Sequence, residues 1–157
     1  MPHIHPAFFP ADLETTRALF REYSETLGID LSFQDFESEL ENLPGKYAPP
    51  AGRLYLACLH DTDPVACIAL RPIDGSPGDC EMKRLYVRPS ARGHHLGRRL
   101  AELVISQARA IGYRRILLDT LAHMTPARTL YTSLGFLPTD PYIHNPIPTA
   151  LFMALDL

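Results

Sequence analysis

Arg92-Gly93-His94-His95-Leu96-Gly97-Arg98 is the stretch of this chain best equipped for chemistry. Upstream lies a strand-like run, 80–87, closed by Pro89. Downstream, Leu96, Leu100, Leu103, Val104, Ala108 and Ile111 recur at helical spacing. A glycine-containing loop between strand and helix presents several main-chain N–H groups at a helix N-terminus, where they bind phosphate oxygens. Arg84, Arg88, Arg92, Arg98 and Arg99 cluster around it, as suits a small anionic ligand. The whole chain, with 15 Lys+Arg against 18 Asp+Glu and a net charge of −3, offers no bulk electrostatic case for nucleic acid. No Gly-Lys-Ser/Thr follows the loop, which argues against a P-loop nucleotide hydrolase.

The elements that must hold this loop are readable from hydrophobic pattern. Asp12 can cap a first helix carrying Leu13, Phe20, Tyr23 and Leu27, with Gly28 as its stop. Ser32, with Asp35 three residues on, opens a second helix whose stripe is Phe33, Phe36, Leu40 and Leu43, ended by Pro44-Gly45. Residues 54–59 and 65–70 form an antiparallel hairpin across a polar turn at 60–64, and 80–87 is the third strand of the meander. The long helix then crosses over to a short buried strand, 115–119, so those two strands run parallel. Thr125-Pro126 begins a last helix that Gly135 stops, and 136–137 and 150–157 are closing strands joined by the Pro-rich segment 138–148. The order is ααβββαβαββ, with room for a short strand before the first helix. At 157 residues without repeats or an interdomain linker, 1–157 reads as a single domain. Cys58, Cys67 and Cys80 all fall in apolar strand-like runs and read as reduced core thiols of a cytoplasmic protein, although a Cys58–Cys67 bridge is open if their strands pair. No apolar run is long enough for a membrane span, and the N-terminus lacks signal-peptide order.

This arrangement resembles the Gcn5-related N-acetyltransferase (GNAT) superfamily. The family's Arg/Gln-x-x-Gly-x-Gly/Ala segment corresponds to Arg92-Gly93-His94-His95-Leu96-Gly97, with His95 standing where the first glycine lies. A second block, Leu130-Tyr131-Thr132-Ser133-Leu134-Gly135-Phe136, is similar to the family's Leu-Tyr-x-x-Leu-Gly-Phe, and Met124 stands where many members have Asn. With the 81–87 strand, the matched blocks run from Glu81 to Phe136. The resemblance implies an α/β (α+β layered) GNAT fold: a central mixed, mostly antiparallel sheet splayed between two parallel strands, with helices on both faces. It implies acetyl-CoA as co-substrate. It places Arg92, Gly93, His94, His95, Leu96, Gly97 and Arg98 at the cofactor, the main-chain N–H groups from His94 to Arg98 holding the pyrophosphate and the main chain of Leu85, Tyr86 and Val87 the pantetheine arm.

The expected reaction is transfer of an acetyl group to a primary amine of a small molecule or, as second choice, of a protein, directly and in a ternary complex. Glu81 shares a strand face with Leu85 and Val87, because alternate residues share a face, and is the candidate base. By its place in the second block, Tyr131 is the candidate proton donor to the leaving thiolate. Tyr47, Tyr142, His144 and Asn145 are candidate acceptor-binding residues, from the loops that frame the acceptor in this fold. A non-catalytic acyl-CoA sensor or interaction module is the alternative. No metal is expected, since His94 and His95 are adjacent and His3 and His5 sit in the terminal segment. Nucleic-acid and membrane partners are not expected, and strand edges near the C-terminus allow a homodimer.

Overall fold

The computed structural model describes residues 2–60 and 63–157, and for Phe33 the backbone alone. Its elements follow in the order β1 (His3–Pro6), α1 (Leu13–Leu27), α2 (Phe36–Glu41), β2 (Arg53–Cys58), β3 (Pro64–Pro72), β4 (Asp79–Val87), α3 (Leu96–Ile111), β5 (Arg115–Leu121), α4 (Thr125–Ser133), β6 (Leu137–Pro138) and β7 (Ala150–Asp156). The strands form one seven-stranded sheet ordered β1-β2-β3-β4-β5-β7-β6. Every pair is antiparallel except β4 with β5. The short strand ahead of the first helix is present, and the third meander strand and the strand after α3 run parallel, as the pattern predicts. Residues 61 and 62 of the turn between β2 and β3 lie outside the described residues.

Helices cover both faces, which is why β2, β3 and β4 read as continuous apolar runs and not as alternating ones. On one face α3 lays Leu96, Leu100, Val104, Ile105 and Ala108 against Ile68, Leu70, Met82, Ile116 and Leu118. On the other, Leu19, Phe20 and Leu27 of α1 and Phe36 and Leu40 of α2 pack on Leu54, Leu56, Cys67 and Ala69. Each fully buried large aliphatic side chain contributes about 1.5–3 kcal/mol. No helix among the described residues is long and apolar enough to cross a membrane.

Two local expectations need correction, and the reading of the cysteines as reduced core thiols holds. Asp12 precedes α1, but its carboxylate accepts the Phe8 N–H at 2.8 Å and does not cap the helix. The second helix is broken: Ser32–Gln34 is a single 3-10 turn, and Asp35, at φ +55, interrupts the chain before α2. Phe33, part of its expected apolar stripe, has a side chain outside the described residues. The three cysteines are free, and Cys58 and Cys67 do not face each other: Cys67 is paired with Leu56, Cys58 with Pro64.

The feature that positions the site is the short contact between β4 and β5. They pair only at Asp79–Arg115, Cys80–Ile116 and Glu81–Leu117, a closed end tied by the Arg115 guanidinium on Asp79 at 3.0 Å. Beyond it the strands separate. β4 carries a bulge there: Ala69 opposes Lys83 and Cys67 opposes Tyr86, leaving Arg84 and Leu85 across from Ile68 alone. Arg84 takes φ +60, and its carbonyl accepts the Cys67 thiol at 3.2 Å. An extra residue in one strand bends it and strengthens its twist, turning β4 away from β5.

Candidate active site

Because β5 pairs with β4 only as far as Glu81, residues 82–87 of β4 have no strand partner on that side. The gap is a cleft walled by Lys83, Arg84 and Leu85 of β4, by Leu118, Asp119 and Thr120 of β5, by Tyr23 of α1 and Tyr131 of α4, and by Gln34 and Asn145 from loops. Main-chain groups on a free strand edge accept an extended partner, as a pantetheine arm would be. Leu85, Tyr86 and Val87 lie on this stretch.

At the mouth of the gap stands the Arg92–Arg98 loop. Gly93 has φ +89, and His95, at φ +59, is the residue immediately before α3. The N–H groups of Leu96, Gly97 and Arg98 open the helix and have no intrahelical carbonyl to bond, so they are available to an anion together with the positive end of the helix dipole. Gly97 is not sterically obligatory: a Cβ there would meet Leu130 and Val87 at 3.8 Å, ordinary contact. His95 is the odd residue, since a side chain in the left-handed region costs about 1–2 kcal/mol and its own is exposed. His95→Gly is therefore expected to raise stability by about 0.5–1 kcal/mol after the entropy glycine adds to the unfolded chain, roughly 1–4 °C in Tm. Differential scanning fluorimetry with and without acetyl-CoA checks this; a lower Tm would show that the His95 side chain is held by something beyond its backbone.

Of the five arginines near the loop, three lie on it or on the first turn of α3. Arg92 is exposed, Arg98 bonds Glu102 and Ser133, and Arg99 reaches the Pro2 carbonyl. Arg88 is instead paired with Glu22 at 2.8 Å, and Arg84 is buried behind the cleft.

The bulge also resets the faces of β4. Cys80, Met82, Leu85 and Val87 turn to α3, whereas Tyr86 faces α1. Glu81, Lys83 and Arg84 also make their contacts away from α3. Glu81 therefore does not share a face with Leu85 and Val87; strict alternation fails at the extra residue. Glu81 is 2% exposed and both its oxygens are engaged: Oε1 accepts Arg71 Nε at 3.0 Å, and Oε2 accepts the Tyr142 hydroxyl at 2.6 Å, with Lys83 Nζ at 3.8 Å. Burial pushes its pKa up, but the charges of Lys83 and Arg71 and the donated hydrogen bonds outweigh this and hold it below the usual carboxylate value. Beside it, burial lowers the Lys83 pKa, against the opposing pull of Glu81. Arg84 forks onto Glu39 at 3.0 and 3.1 Å, donates to Gln34 at 2.9 Å, and lies over the Phe36 ring at 5.3 Å.

The predicted acceptor residues separate into two groups. Tyr142 meets Glu81, and Asn145 lines the cleft, donating to Asp119 Oδ2 at 3.0 Å. Tyr47 is buried, donates to Glu39 at 2.9 Å and packs edge-on against Phe20; it braces the ionic network from behind and does not line the cleft. His144 is exposed on its loop and not among the residues lining the cleft. Tyr131 faces the cleft, 8% exposed, with its ring edge-on to Phe136; its hydroxyl bonds to none of the described residues, and burial keeps the phenol protonated. Sequence reasoning missed Asp119, Lys83, Glu39 and Tyr23. The available signal was a Glu-x-Lys-Arg run inside a strand that must be buried on both faces, and an aspartate within the apolar run 116–121.

A sheet splayed at one parallel pair, with helices on both faces and a helix N-terminus opening beside the gap, is the architecture of a known transferase family. Residues 14–136 match the Acetyltransferase (GNAT) family. The chain is 44% identical over 148 residues to an uncharacterized N-acetyltransferase of Schizosaccharomyces pombe, covering 94% of this chain and 90% of that one. In structure it is similar to an acetyltransferase of the GNAT family from Staphylococcus aureus (TM-score 0.80, 20% identity, 99% of each chain). It is also similar to an acetyltransferase from Salmonella typhimurium solved with its cofactor acetyl-CoA (TM-score 0.70, 20% identity, 99% of this chain and 93% of that one). The chain belongs to the GNAT family of N-acetyltransferases.

Proposed function

We propose that the protein moves the acetyl group of acetyl-CoA to the primary amine of a small molecule, directly and in a ternary complex. The observation that carries this reading is the unpartnered edge of β4 over residues 82–87, with free helix amides at its mouth and ionisable groups along its walls. The thioester supplies an acyl group open to attack by a neutral nitrogen; the rest is positioning and proton movement by the chain. Leu96, Gly97 and Arg98 bind the pyrophosphate through their N–H groups, and the main chain of Leu85, Tyr86 and Val87 orients the arm.

A lysine-like amine has a pKa near ~10.4, so a base must take its proton. Glu81 serves only through Tyr142, because both its oxygens already accept strong donors. Among the described residues Asp119 bonds Asn145 alone, and it lines the cleft, which makes it the more direct acceptor. Lys83, on the same wall beside Glu81, favours an amine that also carries a carboxylate, as an amino acid does. The thiols support direct transfer: Cys80 points to the α3 side with its pKa pushed up to about 12 by burial, unsuited to carry an acyl group. A cytoplasmic setting belongs to the same reading, and the short edge strand β6, with Leu137 exposed, supports a homodimer.

The test is acetyl-CoA binding by calorimetry, followed by mass spectrometry of products from a panel of amino acids, polyamines, aminoglycosides and peptides. Acetylated amino-acid amines are expected; binding without any product would make the protein an acyl-CoA sensor. The pH–rate profiles of Asp119→Asn and Glu81→Gln then identify the base, as the variant that loses the acidic limb.

A further inference from the structure

We propose that His3, His5 and Cys58 form a binding site for a zinc-like divalent transition metal at the outer edge of the sheet. In β1, His3 and His5 are two residues apart and so share a face. Antiparallel pairing sets His3 directly opposite Cys58 at the end of β2. One imidazole nitrogen from each histidine and the Cys58 sulfur all lie within 4.8 Å of one another. Tetrahedral ligation, with metal–nitrogen distances of about 2.0–2.1 Å and metal–sulfur of about 2.3 Å, sets two nitrogens and a sulfur about 3.3–3.6 Å apart. Side-chain rotations that move these atoms by at most about 1.5 Å close that difference.

The surroundings favour an occupant. His5 Nδ1 lies 2.9 Å from the Pro6 carbonyl, where its N–H donates and leaves the Nε2 lone pair for a metal, the usual outer hydrogen bond of a ligating histidine. The His5 ring is held between Phe8, stacked at 6.1 Å, and His3, at 6.0 Å. Cys58 is 3% exposed and its thiol makes no hydrogen bond with the described residues. Two imidazoles and a thiol select zinc, cobalt or copper over calcium and magnesium. Binding breaks the Cys58 S–H bond, forms the metal–sulfur bond and releases the proton to solvent. With three protein ligands and His3 exposed, the fourth position falls to water.

β1 is separated from β4 by β2 and β3, so this site is apart from the acyl-transfer cleft and would bolt β1 to β2.

The experiment is titration of the untagged, metal-free chain with Co2+, read by the near-ultraviolet thiolate-to-cobalt charge-transfer band, and then with Zn2+, read by thermal shift. One Co2+ per chain, displaced by Zn2+, is expected, with Tm raised by roughly 5 °C at about a hundredfold excess of Zn2+ over its Kd. Cys58→Ser should abolish the charge-transfer band, and the surface variant His3→Gln should weaken binding at least tenfold while leaving the metal-free Tm unchanged. A band that persists in Cys58→Ser, unchanged affinity in His3→Gln, or no saturable one-equivalent binding overturns the proposal.

Discussion

Tyr131→Phe is expected to lower kcat about 100-fold while leaving Tm and the Kd for acetyl-CoA nearly unchanged. The hydroxyl lies on the wall of the cleft and makes no hydrogen bond with the described residues, so its loss removes nothing that holds the fold. Its ring packing on Phe136 survives in phenylalanine. Burial keeps the phenol pKa above its ordinary value, so at neutral pH it is a donor and not an anion. A departing thiolate, with a reference pKa near ~8.5, is stabilised by that donated hydrogen bond without needing complete protonation by a weaker acid. Loss of one well-placed donor to developing charge typically costs about 10²–10³ in rate. Steady-state kinetics with a fixed amine, alongside calorimetric acetyl-CoA binding, separates the two quantities. A kcat within threefold of the parent would remove Tyr131 from the chemistry and leave it as packing.

Glu39→Ala carries the largest expected stability effect. Glu39 receives two hydrogen bonds from Arg84 and one from Tyr47, and it joins α2, a helix of only six residues with no side-chain cap, to the bulge of β4. The Arg84 side chain is 2% exposed, so alanine at 39 leaves a guanidinium buried without its carboxylate. Breaking a buried pair from one side costs about 3–5 kcal/mol, here roughly 10 °C in Tm. Glu39→Gln, which retains acceptors, should lose less, and an apolar pair at 39 and 84 should lose less than the two single changes summed. Chemical denaturation measures all of these; a fall below about 1 kcal/mol for Glu39→Ala would mean that Arg84 finds water or another partner.

These two residues were not equally legible. Tyr131 stands in a local pattern, Leu130-Tyr131 followed by Leu134-Gly135-Phe136, and a local pattern survives in sequence. So did the order of strands and helices, because each is announced by its own apolar run and its own breakers, and the parallel pairing of β4 with β5 follows from the crossover helix between them. Glu39 is 45 residues from Arg84, and nothing in either neighbourhood names the other. The bulge at Arg84 is hidden for a different reason: one extra residue leaves composition and hydropathy unchanged yet reverses every face after it, which separated Glu81 from Leu85 and Val87. Asp35 hides likewise, since an aspartate placed like the partner in a capping box can as readily take a left-handed turn. Asp119 was passed over because its apolar neighbours spoke for burial and only the three-dimensional gap shows that its carboxylate reaches solvent.

The three-residue contact between β4 and β5 makes the sheet two half-sheets, one of four strands and one of three, seamed at a single end. A donor lying along the open part of that seam occupies the place of a missing strand. Grip on the donor and cohesion of the halves are then one free energy counted from two sides. On the proposed function, the loaded protein would be a more continuous solid than the free one, and releasing product would mean reopening the seam.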